Sequence, residues 1–161
     1  MATIPVQRIM QVTEYSDHHG TLATEAANQT FKRGNFIAPD ASGKMAAVAA
    51  GAITAKVKLA AQDAENAATP RRNNLSKVNP TATMIFEVTA LGTGTAALLA
   101  AGKKYGYSID ATSGFGVLNL ADTTNAAFEL INHDGDTLAP GSNATDVNPR
   151  VYARLVNAII N

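Results

Sequence analysis

The sequence predicts an all-β fold: a small antiparallel β-barrel or sandwich with one short helix and an extended N-terminal arm. Three observations lead there. Turn-forming clusters such as Gly34-Asn35, Pro39-Asp40-Ala41-Ser42-Gly43 and Ser113-Gly114 recur along the chain with apolar pieces between them. Several of those pieces alternate apolar and polar residues, the period of a strand with one buried face. Even in the Ala-rich stretch 45–62, where composition favours helix, Ile53, Ala55, Val57 and Leu59 alternate with Thr54, Lys56 and Lys58.

Taken in order, residues 1–20 read as an arm and 21–161 as a single β-barrel domain. Pro5 and the polar run Thr13–Gly20 discourage a helix in the arm. Ile4, Val6, Ile9, Met10 and Val12 are dense for a free tail, so the arm is expected to bind a partner. Phe31 to Val48 reads as strand–turn–strand–turn, followed by a strand over 52–60. Residues 62–81 are polar, hold two prolines and read as one long loop. Arg71, Arg72 and Lys77 make it the most basic stretch, either a contact loop for an acidic patch or a solvated loop. Met84–Leu91 is a strand, and Thr95 can cap a short helical turn, Ala96–Ala101, that Gly102 closes. Strands are expected at Tyr105–Asp110, Gly116–Ala121, Ala126–Asn132 and Val151–Ile160. No tandem repeat is visible in the sequence.

Composition narrows the function. The chain has 161 residues, a formal net charge of zero and 16% charged residues. That argues against nucleic acid, whose binding is dominated by Lys and Arg on phosphate, and against a polybasic membrane-surface segment. Little net charge keeps copies apart, so self-association is permitted. There is no Cys, hence no disulfide framework, thiolate nucleophile or thiolate metal site. The opening MATIPVQRIM lacks the pattern of a secretory signal, and no apolar run has the length of a membrane-spanning helix.

No constellation for catalysis assembles. Adjacent residues of an extended chain point to opposite faces, so Asp17-His18-His19 is a poor metal site. His133-Asp134-Gly135-Asp136 reads as a hairpin turn, since the twelve-residue calcium-loop spacing is absent. Thr112-Ser113-Gly114-Phe115-Gly116 lacks the Lys of a phosphate loop, and Ser113 has no nucleophile-elbow frame. Tyr105 and Tyr107, two apart, share a strand face and read as packing residues. The chain therefore reads as a binding or structural module, not an enzyme, with no cofactor and no metal.

The stretch FKRGNFIAPDASGKMAAVAA resembles the start of the small barrel domain of tailed-bacteriophage capsid decoration, or cement, proteins. In that family an apolar residue, a basic residue and Gly lead into a short strand, an Asp-containing Gly turn and a small-residue strand. The likeness returns in LLAAGKKYGYSID, ADTTNAAFELI and DVNPRVYARLVNAIIN. It omits residues 1–20 and the loop near Arg71. The resemblance implies a virion protein, made in the host cytoplasm, that sits on the outer capsid surface as a homotrimer. Its partners would be the major capsid protein and its own copies, with no nucleic acid and no membrane. On this reading Ile4, Val6, Ile9, Met10, Val12, Arg71, Arg72 and Lys77 are the candidate capsid- or subunit-binding residues. The alternative is a fibre or baseplate module that binds a receptor or glycan.

Overall fold

A computed structural model describes residues 10–14, 21–156, 159 and 160. Among them the chain forms β-strands and no α-helix. The strands are β1 Met10–Glu14, β2 Thr21–Ala23, β3 Phe36–Pro39, β4 Met45–Ala47, β5 Lys58–Ala60 and β6 Leu75–Val78. They continue with β7 Ile85–Leu91, β8 Lys104–Ile109, β9 Gly116–Asn119, β10 Phe128–Leu130 and β11 Arg150–Leu155. One sheet runs β1-β7-β11-β10-β8-β9 and closes on itself through a short parallel pairing of β7 with β9. The result is a closed five-stranded barrel, with β1 lying antiparallel on the edge of β7 that β9 leaves uncovered. The other sheet runs β2-β6-β5-β3-β4, and a parallel bridge between Glu25 and Met45 brings its two ends together.

The two sheets are the same unit built twice. β2 to β6 in the first pair in the same order and sense as β7 to β11 in the second. The register also matches. In the first unit the Gly34 amide donates to the Ala60 carbonyl (2.7 Å), the Ala60 amide donates to Asn35 (3.0 Å), and the next ladder pair is Phe36–Leu59. In the second, the Gly102 amide donates to Leu130 (2.8 Å), the Leu130 amide donates to Lys103 (2.8 Å), and the next pair is Lys104–Glu129. Ala60–Lys77 corresponds to Leu130–Ala153, Thr21–Lys77 to Phe86–Ala153, and the closing Glu25–Met45 bridge to Ala90–Leu118.

Each unit uses the same two devices to turn the chain. Gly34 and Gly102 enter β3 and β8 with φ of 87° and 83°, where a side chain would be strained. Asp40 and Asp110 open the following hairpins, and each carboxylate accepts an amide two or three residues on, from Ser42 and Ser113 at 2.8 Å.

The units differ in what they present outward. Phe36, Leu59 and Val78 form a row across β3, β5 and β6. All three pack into one large cluster with Phe86, Tyr107, Leu118 and Phe128 of the second unit. Phe36 stacks on Tyr107 with ring centroids 4.2 Å apart and lies 5.5 Å from Phe128. The equivalent row of the second unit is Lys104, Glu129 and Arg154. There Lys104 and Arg154 are exposed, and Arg154 pairs with Glu129 at 3.0 Å. A smaller cluster of Phe31, Ile37, Met45, Ala60 and Leu75 fills the first unit.

Four expectations about elements change, one being the C-terminal strand expected over Val151–Ile160, which ends at Leu155, with Ile159 and Ile160 in a turn beyond it. Residues 62–81 are not one loop, because Leu75–Val78 is β6, whose Leu75 is fully buried in the first unit. The strand expected over 52–60 is reduced to Lys58–Ala60. Before it, Gly51 has φ of 97° and the Val57 amide donates to Ile159 rather than to a ladder. The Thr95 turn forms, with the Leu98 amide on the threonine hydroxyl (3.2 Å) and the Leu99 amide on its carbonyl (2.9 Å). It stops before becoming a helix, since Gly102 reverses the chain into β8.

Candidate functional site

Of the eight candidate contact residues, Ile4, Val6 and Ile9 lie outside the described residues. Met10 and Val12 belong to β1, opposite Val88 and Phe86 of β7. Arg71 and Arg72 are exposed in the turn before β6. The Arg71 guanidinium pairs with Glu65 at 3.1 Å, and its amide donates to the same carboxylate. Lys77 lies within β6, half-buried between Thr21 of β2 and Ala60 of β5. Burial first, and then the nearby Lys58 ammonium, lower its pKa. The arginines and Lys77 therefore do not form one basic loop.

A buried carboxylate positions the arginine turn. Glu25 is fully buried and accepts the amides of Glu65 (2.9 Å) and Asn66 (3.3 Å). Glu65 in turn holds Arg71 and the side-chain amide of Asn74. The Asn73 amide donates to the Thr24 hydroxyl at 3.1 Å. This ties the turn to the residue that follows β2, so Arg71 and Arg72 flank that end of the strand. The equivalent of Glu25 in the second unit is Ala90, so the second unit lacks this device.

β2 carries the most exposed large apolar side chain among the described residues. Leu22 is 65% exposed, on a strand whose other residues, Thr21 and Ala23, are uncharged. Its equivalent in the second unit, Glu87, is buried and paired with Arg150. Leu22 is not singled out by sequence patterning, because a lone leucine between Thr21 and Ala23 gives no periodic signal.

Other sequence features take structural roles. Tyr105 and Tyr107 are each 1% exposed and face the core, so they offer no sugar-stacking platform. Burial pushes the Tyr107 hydroxyl's pKa up, and its oxygen accepts the Phe36 amide at 3.2 Å. His133 and Asp136 bond to each other through their backbones around Asp134 and Gly135, both at positive φ, which is a tight hairpin turn. The Ser113 hydroxyl donates to Asp110 at 2.6 Å within its turn. No group of three His, Asp or Glu side chains able to hold a metal ion occurs among the described residues. No helix of the described residues is long and apolar enough to cross a membrane.

Compared with models of protein families and with curated proteins, the chain matches none.

Proposed function

We propose that the protein is a capsid decoration protein that binds the outer face of an icosahedral phage head and stabilises contacts between major capsid proteins. The observation that supports this reading concerns the residues that carry the resemblance. Gly34, the Asp40–Gly43 turn, Gly102 and Asp110 are the residues that set the chain reversals of both barrel units. The likeness thus rests on the framework of the fold, not on scattered identities. A compact, charge-balanced β-module with an apolar N-terminal segment suits passive binding to a regular surface.

The mechanism is linkage. A protein that binds only the expanded lattice stabilises that lattice by its binding free energy. Contacts repeated over the shell add through multivalency and oppose the pressure of packaged DNA. The N-terminal segment acts as an anchor on a neighbouring subunit, adding a strand to a sheet edge with side chains in alternate pockets.

The test is binding to purified heads. Full-length protein is expected to sediment with expanded, DNA-filled heads and not with procapsids. Removing residues 2–9, which leaves β1 in place, is expected to weaken that binding strongly at an unchanged melting temperature. Equal binding to both particles, or to neither, overturns the decoration reading.

A further inference from the structure

We propose that the edge of β2, Thr21–Ala23, is the docking site for the N-terminal segment, residues 1–9, of a second copy of this chain. The proposal rests on the reading of that segment as an anchoring arm and names the surface that receives it.

The duplicated architecture carries the argument. In the second unit, β7 uses one edge for β11 and the other for two partners: β9 at Ala90 and Leu91, and β1 at Ile85–Val88. In the first unit, β2 uses one edge for β6, and Glu25, two residues after it, meets Met45 of β4 on the other. Thr21, Leu22 and Ala23 are the register equivalents of Phe86, Glu87 and Val88. Those three residues of β7 are the ones that β1 covers, through Val12, Gln11 and Met10. Among the described residues no strand occupies the corresponding edge of β2. The fold itself thus shows what such an edge accepts: an antiparallel extended segment.

Among the described residues the edge carries no blunting side chain, and only its three-residue length limits pairing. Exposed edges are commonly blunted by charges, prolines or bulges, because their free amides and carbonyls template pairing. Thr21-Leu22-Ala23 has no charge and no proline, and Leu22 is exposed where the covered unit has a buried Glu87. Covering Leu22 would remove its apolar surface from water.

Residues 1–9 match this edge. They precede β1 directly and place Ile4 and Val6 two apart, the spacing at which Met10 and Val12 meet β7. Pro5 is compatible with an added edge strand, which needs amides on one side only. Extended, the segment reaches roughly 30 Å, enough to bridge to a neighbouring molecule. A contact from the arm of one copy to β2 of the next is head-to-tail and gives a cyclic ring where the rotation between copies closes, whereas reciprocal exchange of arms gives a two-fold pair.

The absence of cysteine allows a direct test on the full chain. Single cysteines are placed at each position from Thr3 to Arg8 and mixed with a Leu22→Cys chain under mild oxidation. The expected result is a mixed disulfide between two different chains, strong at alternate arm positions and weak between them. A Ser42→Cys chain serves as control for random collision. Crosslinking no stronger than this control overturns the proposal, as does the finding that a chain carrying both cysteines forms the bond only within itself. As a second readout, Leu22→Lys is expected to weaken self-association at least about tenfold in sedimentation, as does removal of residues 2–9. Both variants should keep the parent's circular dichroism and melting temperature. Full self-association by Leu22→Lys overturns the proposal. These measurements need no capsid. If the arm deletion abolishes head binding but no interchain crosslink forms, the arm anchors on the capsid, and only this inference fails.

Discussion

Asn35 joins the two barrel units through both ends of one amide. It is buried, its Nδ2 donates to the Gly114 carbonyl at 3.0 Å, and its Oδ1 accepts the Gly116 amide at 2.6 Å. Both partners belong to the β8–β9 hairpin of the second unit, while Asn35 leads into β3 of the first. Its equivalent, Lys103, is exposed, so the bond is a property of the junction and not of the repeat. Asn35→Ala strands an amide and a carbonyl, and is expected to lower unfolding free energy by about 1–3 kcal/mol in urea titration. Asp122 acts at the surface. Its carboxylate accepts the amides of Asn125 (2.9 Å) and Thr124 (3.1 Å) and the Asn125 side chain, and these bonds, that to the Asn125 amide first, lower its pKa. A carboxylate with a depressed folded pKa contributes stability above its unfolded value and loses it as pH falls through the folded one. Asp122→Asn is therefore expected to lower the urea midpoint at neutral pH and to flatten the acid limb of its pH profile, the two proteins converging at low pH.

At the scale of elements, the contrast between the two outer rows decides which face packs and which meets water. Phe36, Leu59 and Val78 meet the second unit, whereas Lys104, Glu129 and Arg154 carry an exposed ion pair. Phe36→Lys is expected to cost at least about 3 kcal/mol by loss of ring packing and burial of a charge. Lys104→Phe at the equivalent position should leave the melting temperature almost unchanged, and thermal unfolding of the pair measures the difference. The same rows explain what the sequence hides. Strands β3, β4 and β7 to β11 are legible from turns and alternation, because their Gly and Asp turn residues persist. The duplication is not legible, because register-equivalent positions carry opposite chemistry: Phe36 against Lys104, Leu59 against Glu129, Glu25 against Ala90. β6 is masked because only Leu75 is deeply buried and its neighbours Ser76 and Lys77 are half-exposed. Over 52–57 only Ile53 and Val57 pack against the main cluster while Ala55 is exposed, so the alternation there reflects no ladder. Of the candidate contact residues, the basic cluster separates because charge counting ignores which of its members enters a strand.

For the whole molecule, the main hydrophobic cluster contains residues of both units, from Phe36, Val57 and Leu59 to Phe128, Leu155 and Ile160. Neither unit can lose its packing without exposing part of the other's. Calorimetry is therefore expected to show one cooperative transition, with calorimetric and van't Hoff enthalpies in agreement; two resolved transitions would mean that the units unfold independently. The apolar row on the first unit has a further consequence during synthesis. Chains emerge from the ribosome N-terminus first, and the second unit takes on the order of ten seconds to be translated. Throughout that interval the nascent first unit shows Phe36, Leu59 and Val78 to solvent, with the surface that covers them not yet made. Slow codons after Val78 would lengthen this exposure, and chaperones that shield nascent apolar surface would act on this half of the chain.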